Sequence, residues 1–305
     1  MKLVALAGGV GGAKLAHGLA QVLPAEDLTV IVNTGDDFEH YGLYICPDLD
    51  TVCYTLAGLA NPDTGWGRVN EAWNVIENAT KLGGPRWFNL GDQDLGTHIE
   101  RTRRVKAGQS LSQITKDFCQ AWGIEHNVLP MSDRPVRTIV ETEEGDLAFQ
   151  EYFVHRRCEP RVRGFHFEGV EAAKPAPGAR EAIQSAAAVI ICPSNPWVSI
   201  DPILHVIKRI EKPVVAVSPI IGGETIKGPA AKMYRELGIS PSAAAVANHY
   251  CDLATGFVFD ELDKHLEGEI SSLGMRTLVT NTLMKSHDDR KQLALDLLNF
   301  LGRNL

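Results

Sequence analysis

Apolar runs at positions 4–7, 28–32, 189–192, 214–217 and 257–259 are each about the length of a short strand, and each stops at Gly, Asn, Pro, Ser or Asp. Their continuous apolar character is that of strands buried on both faces. Segments with apolar residues at helical spacing lie between them, at 13–23, 49–59, 202–210 and 230–237. Strands alternating with helices predict a mainly parallel α/β sheet, Rossmann-like, with helices on both faces and ligands gathered at the carboxyl ends of the strands. A further strand is expected at 86–88, with a helix from about residue 95. The middle departs from this rhythm. Strand-like runs at 138–142 and 147–153 are joined by Glu143-Glu-Gly-Asp146, a hairpin pattern, and 171–178, with three alanines and two prolines, reads as an exit linker. Residues 1–305 are therefore read as one Rossmann-like domain with a small β-rich insertion, a β-hairpin subdomain at 134–170. Over 288–301, Leu293, Leu297, Leu298 and Leu301 share one face and predict a core-packing helix.

Composition narrows the class. With 305 residues and 44% apolar content the chain can bury a substantial core. No apolar run approaches the roughly 20 residues of a bilayer helix, and a single Lys precedes the first strand where a signal peptide would carry its basic region. A cytoplasmic protein with no membrane partner is expected. The net charge of −8 argues against nucleic acid. Local basic concentrations at 101–106 and 156–163 read as a solvated face in the first case and as a possible anion contact in the second. The six cysteines form no C-x-x-C pair, so reduced and mostly buried thiols are expected. Two-fold assembly, a homodimer, is the default expectation.

The candidate chemistry clusters after the first two strands. Gly8-Gly-Val-Gly-Gly-Ala-Lys14 fits neither the dinucleotide fingerprint nor a P-loop. It is either a tight turn for strand–helix packing or a phosphate cradle of N–H groups near Gly9, Gly11 and Gly12 with Lys14. Asn33-Thr-Gly-Asp-Asp37 and Pro47-Asp-Leu-Asp-Thr51 place four carboxylates within a short stretch, a set that suits a divalent cation, and Mg²⁺ commonly travels with phosphate donors. Asp36 and Asp37 also occupy the position from which an acid contacts a ribose hydroxyl. Asp48 could cap the helix that follows, whereas Asp50, a second acid beside it, adds repulsion that a cation or a substrate donor would relieve. In Asn89-Leu-Gly-Asp-Gln-Asp-Leu-Gly-Thr-His98, Asp94 could cap a helix and His98 is a minor candidate base. Ser194 and Asn195 in Pro193-Ser-Asn-Pro196 can donate to an anion, as can the helix start near Ser199, and Ser218-Pro-Ile-Ile-Gly-Gly223 occupies the equivalent place one strand on. Met131-Ser-Asp133 could add an acceptor.

Taken in order, GGVGGAK, NTGDD, CPDLDT, NLGDQDLGTH, LPMSD, PSNP and SPIIGG resemble the 2-phospho-L-lactate transferase family of coenzyme F420 biosynthesis over nearly the whole chain. The resemblance implies Mg²⁺-dependent transfer of a phospholactyl, phosphoenolpyruvyl or 3-phosphoglyceryl group from a guanosine diphospho-adduct to the deazaflavin Fo, with release of GMP. It implies that Asp50 and Asn89 bind Fo; Asp50 is then the catalytic candidate, a carboxylate that could orient or deprotonate the acceptor hydroxyl. Asp36 then corresponds to the metal-associated acid, with Asp48 or Asp50 as its companion. Trp66, Trp73 and Trp87 are candidates for the ring slot, at least one of them being expected in the core, and Arg134, Arg137 or Lys227 could hold the donor carboxylate. Competing readings are a nucleotide- or nucleotide-sugar-binding regulator of the same fold without turnover, and an NAD-dependent oxidoreductase.

Overall fold

A computed structural model describes residues 1–302. Among them, seven strands form one sheet in the order Arg276–Val279, Gly256–Phe259, Val214–Val217, Ala188–Ile191, Leu3–Ala7, Leu28–Val32 and Asn127–Pro130. Every neighbouring pair is parallel. The apolar runs thus become interior strands, and alternate residues supply two cores. Val4, Leu6, Val189 and Ile191 face the helices Ala179–Ser185, Asp201–Ile207 and Ala243–His249, while Leu3, Ala5, Ile190 and Val215 face Gly9–Val22, Pro47–Leu56 and His287–Gly302. Burying each such side chain stabilises by roughly 1.5–3 kcal/mol. Leu293, Leu297 and Leu301 of the last helix are fully buried, and Leu298 packs at their margin.

From the central strand Leu3–Ala7 the chain winds first toward Leu28–Val32, and after Ala188–Ile191 it winds the opposite way. The gap between these two strands is the switch point, where an open α/β sheet leaves a crevice. The loops that leave them meet there. Ser194 Oγ accepts from Gly8 N at 3.0 Å and donates to Gly8 O at 2.7 Å. A Cβ on Gly11 would collide with the Pro193 carbonyl oxygen, and one on Gly12 would lie 2.6 Å from Ser194 Oγ. Gly11 and Gly12 thus allow close packing at this junction, and the helix begins at Gly9 itself.

Several expectations are corrected. Residues 86–88 form no strand: Trp87 and Phe88 pack their rings on Phe38 and His40 and reach no sheet edge. Those partners belong to a two-stranded hairpin, Phe38–His40 and Leu43–Ile45, whose turn residues Tyr41 and Gly42 both have positive φ (52° and 70°). This is a I′-type turn without the usual Asn-Gly signal, which is why the sequence concealed it. The insertion is a three-stranded antiparallel sheet, Gly145–Ala148, Arg137–Thr142 and Val162–Glu168. Its second predicted strand stops at Ala148, and Glu151–His155 winds as a π-helical turn. The cysteines are free, with Cys46, Cys53, Cys119 and Cys192 buried. No helix among the described residues is long and apolar enough to cross a membrane.

Candidate functional site

A cavity of about 630 Å³ opens at the carboxyl ends of the strands, above the switch point. Its wall includes Gly9, Gly11, Lys14, Ser194 and Asn195, the acids Asp36, Asp48 and Asp50, and Asn89 at an exposed rim. Gly12 lies beneath, packed on Ala7 and Ser194, and does not reach the wall. Lys14 Nζ donates to the Met284 carbonyl at 2.8 Å, and burial followed by the charges of Arg290 and Lys227 lowers its pKa. Asn195 Oδ1 accepts from Trp197 N and starts the turn Pro196–Ile200.

One amide organises two acids. Asn33 ends the second strand, and its Nδ2 donates to Asp36 Oδ1 at 2.7 Å and Asp48 Oδ2 at 3.0 Å. Asp36 Oδ2 accepts from Gln150 Nε2 at 3.1 Å, and Asp48 is further held by Gly9 N and Ser199. Asp48 is not the helix N-cap: Cys46 takes that position, and Asp48 points back toward Gly8. Burial, then the charges of Asp48 and Asp37, pushes the Asp36 carboxyl well above the usual range, and burial also raises Asp48. Among the described residues no basic side chain pairs with either acid. Asp37 turns away from the cavity. Burial raises its carboxyl to about 8, Tyr44 Oη donates to it at 3.1 Å, and its Oδ1 lacks a partner.

Asp50 has a different environment. Arg101 Nη1 donates to its Oδ2 at 3.0 Å and Nη2 to its Oδ1, both side chains being buried. Arg101 thus departs from the solvated basic face expected for 101–106, while Arg103 and Lys106 are exposed as expected. His98, 1% exposed, stands between two carboxylates, with Nδ1 3.7 Å from Asp50 and Nε2 3.3 Å from Asp94. Burial alone would raise Asp94, but His98, Tyr54 and Arg101 together hold it below the ordinary value. Asp94 is not a cap either. Glu71 caps this helix from a distance, accepting from Gln93 N at 2.8 Å and Asp94 N at 2.9 Å, which leaves the Asp94 side chain to Tyr54 and His98. Asp50, Asp94 and His98 present ligand-type atoms within 4.8 Å of one another.

The apolar part of the wall comes from Trp66, Trp87, Phe88, Phe149 and Phe153. None of the three candidate tryptophans is core: Trp66 and Trp73 are 46% and 38% exposed, and Trp73 lies off the wall. Phe149 and Phe153 stack at 5.4 Å because the helical turn brings residues four apart into ring contact, whereas in an extended strand they would share a face but stand about 13 Å apart. Of the basic candidates, Lys227 lines the cavity and its Nζ donates to Thr64 O at 2.6 Å. Arg137 donates instead to the Asp37 carbonyl, and Arg134 is off the wall. Asp133 accepts from Ser112 N and Oγ in the first turn of the helix Leu111–Ala121, whose N-cap is Ser110. Arg161 and Arg163 face Glu143 on the insertion, away from the cavity. Sequence reasoning missed Arg101, Gln150 and the segment 282–284. Arg101 alone left a signal, at one and two helical turns from His98 and Asp94.

The sequence model of the family described as 2-phospho-L-lactate transferase CofD matches residues 3–273. The chain belongs to this family. Among curated relatives, a phosphoenolpyruvate transferase of Streptomyces griseus subsp. griseus is 44% identical, covering 94% of each chain. A 2-phospho-L-lactate transferase of Methanosarcina mazei is 40% identical, covering 96% of this chain and 98% of its own. A upf0052 family protein of Bacillus halodurans shares the fold, with a TM-score of 0.64 at 17% identity over 97% of this chain and 99% of that one. The protein is thus an enzyme, a transferase of coenzyme F420 biosynthesis that moves a phospho-substituted group.

Within this transferase, Asp36 and Asp48 fit a divalent cation: two buried hard-oxygen ligands, raised in pKa and without a basic partner, border the cavity beside the glycine turn. Asp50 fits that role less well, because both of its oxygens already serve a guanidinium. Its remaining lone pairs suit a neutral hydroxyl.

Proposed function

We propose that this enzyme transfers a phospholactyl, phosphoenolpyruvyl or 3-phosphoglyceryl group from its guanosine diphospho-adduct to the deazaflavin Fo, releasing GMP and forming the F420-0 type precursor. The terminal ribityl hydroxyl forms a new O–P bond to the phosphorus bearing the three-carbon acid. The bridging P–O bond breaks, its electron pair leaves with GMP, and the hydroxyl proton passes to solvent by way of Asp50. Mg²⁺, held by Asp36 and Asp48, neutralises phosphate charge when bound. The chain's own residues do the rest. N–H groups of the glycine turn and Lys14 border the diphosphate, Asp50 orients the hydroxyl, Asn89 meets the acceptor at the rim, and Trp66, Trp87, Phe149 and Phe153 enclose the flat ring. The observation that carries this reading is the meeting, in one cavity, of a cation-type acid pair, a separately anchored acid and an aromatic slot.

Incubation with Fo, Mg²⁺ and a panel of guanosine diphospho-adducts tests it, with GMP release and mass gain on Fo expected. Binding of guanylate without GMP release for any donor would favour a regulator without turnover. Replacing Asp50 by Asn should lower turnover by about 10²-fold or more, the lower end of general-base help, with GDP affinity held within about two-fold. Turnover like that of the wild type would remove Asp50 from the chemistry.

A further inference from the structure

We propose that Arg101 is a positioning residue for the transfer: its guanidinium locks the Asp50 carboxylate in the orientation that meets the acceptor hydroxyl. This rests on the acceptor role given to Asp50 above. Arg101 is 2% exposed, on the inward face of the helix Asp92–Lys106, with its guanidinium 5.9 Å from the Phe118 ring centroid. It sends both Nη groups to Asp50, forming the two-pronged contact that fixes the plane of a carboxylate as well as its place. Its Nε has no acceptor at all. A buried ion pair with an unsatisfied donor is a poor source of stability, since apolar residues of like volume commonly serve a core as well or better. What the pair supplies is geometry.

The surroundings make that geometry necessary. Asp50 shares its corner with the Asp94 carboxylate, and both border the cavity. Without a cation behind it, Asp50 would be repelled by Asp94 and free to swing toward solvent in the cavity. Asp36 and Asp48 need no such anchor, because Asn33 already bridges them. The two acid groups are therefore held by different means: an amide holds the pair that suits a metal ion, and a guanidinium holds the acid that suits an alcohol. A lysine at 101 would keep the charge and lose the fork.

The test is a double-mutant cycle with Arg101→Met, Asp50→Asn and the combined variant, plus Arg101→Lys, each followed by acceptor kinetics, GDP binding and a thermal melt. Arg101→Met should lower kcat/KM for the acceptor by roughly 100-fold, the cost of a misplaced group, with GDP affinity held within about two-fold. Arg101→Lys, which retains the buried charge and serves if the Met variant fails to fold, should recover only part of that loss. In the Asp50→Asn background, Arg101→Met should cost no further activity, because the group it positions is already gone. The proposal is overturned if folded Arg101→Lys or Arg101→Met keeps wild-type acceptor kinetics, or if the Arg101 loss is the same with and without Asp50. Full activity of Asp50→Asn alone would remove the underlying reading, and that variant by itself distinguishes the two failures.

Discussion

Asn33 shows how one side chain sets the chemistry of others. Its amide brings Asp36 and Asp48 together; burial raises both carboxyls, and the charges of Asp48 and Asp37 add to it at Asp36, so part of the pair is protonated where free carboxylates would be ionised. Binding of Mg²⁺ should therefore release protons, and its affinity should rise with pH through the raised range. Calorimetry in buffers of different ionisation enthalpy measures the release, which Asp36→Asn should reduce along with affinity. Asp37 is likewise raised by burial first, but it does not line the cavity. Its native pKa of about 8 exceeds the unfolded value, so the folded state holds the proton longer. The stability this contributes is complete below the ordinary carboxylate range and is lost as pH rises through about 8. Urea melts at several pH values should show this decline in the wild type and a flatter profile in Asp37→Asn.

Elements were legible where apolar period and length agreed. The interior strands and the last helix follow from runs that can only be buried. The turn Glu151–His155 escaped because Phe149, Tyr152, Phe153 and Val154 carry no period that separates a strand from one tight helical turn. The glycine turn was legible as a turn, but its cause lay in another segment, the carbonyl of Pro193. Gly11→Ala should force these loops apart and destabilise by roughly 1–3 kcal/mol, the usual cost of overpacking, with loss of guanylate binding. Denaturant titration and GDP binding measure the two effects. Glu71 offers a second check on the element scale. As a distant cap on Gln93 and Asp94, its change to Ala should cost about 0.5–2 kcal/mol and loosen Asp94. A melt that matches the wild type would refute the capping role.

At the scale of the whole molecule, the cavity joins segments that are far apart in sequence: the glycine turn, the acids at 36–50, the helix from Asp92, the insertion and residues 282–284. The insertion also grips the acid turn directly, through Gln150 on Asp36 and Arg137 on the Asp37 carbonyl. A ligand that fills the cavity should therefore stabilise the fold as a unit. By mass action GDP with Mg²⁺ at about 100 times Kd should add about 2.7 kcal/mol. Gln150→Ala should reduce the Mg²⁺-dependent part of that gain and, by leaving a buried Asp36 oxygen unpaired, also lower the melt without ligand.

The sequence by itself determined the fold class, the order of the interior strands' segments and which acids could matter, because burial on both faces and the composition of turns are local properties of the chain. Motif order also identified the family. Which acid receives which partner was decided only by tertiary structure. Asp50 meets Arg101 across 51 positions, and Asp36 meets Gln150 across 114. Neither pairing leaves a periodic trace, since a side chain's charge partner depends on how helices and loops pack and not on spacing along the chain.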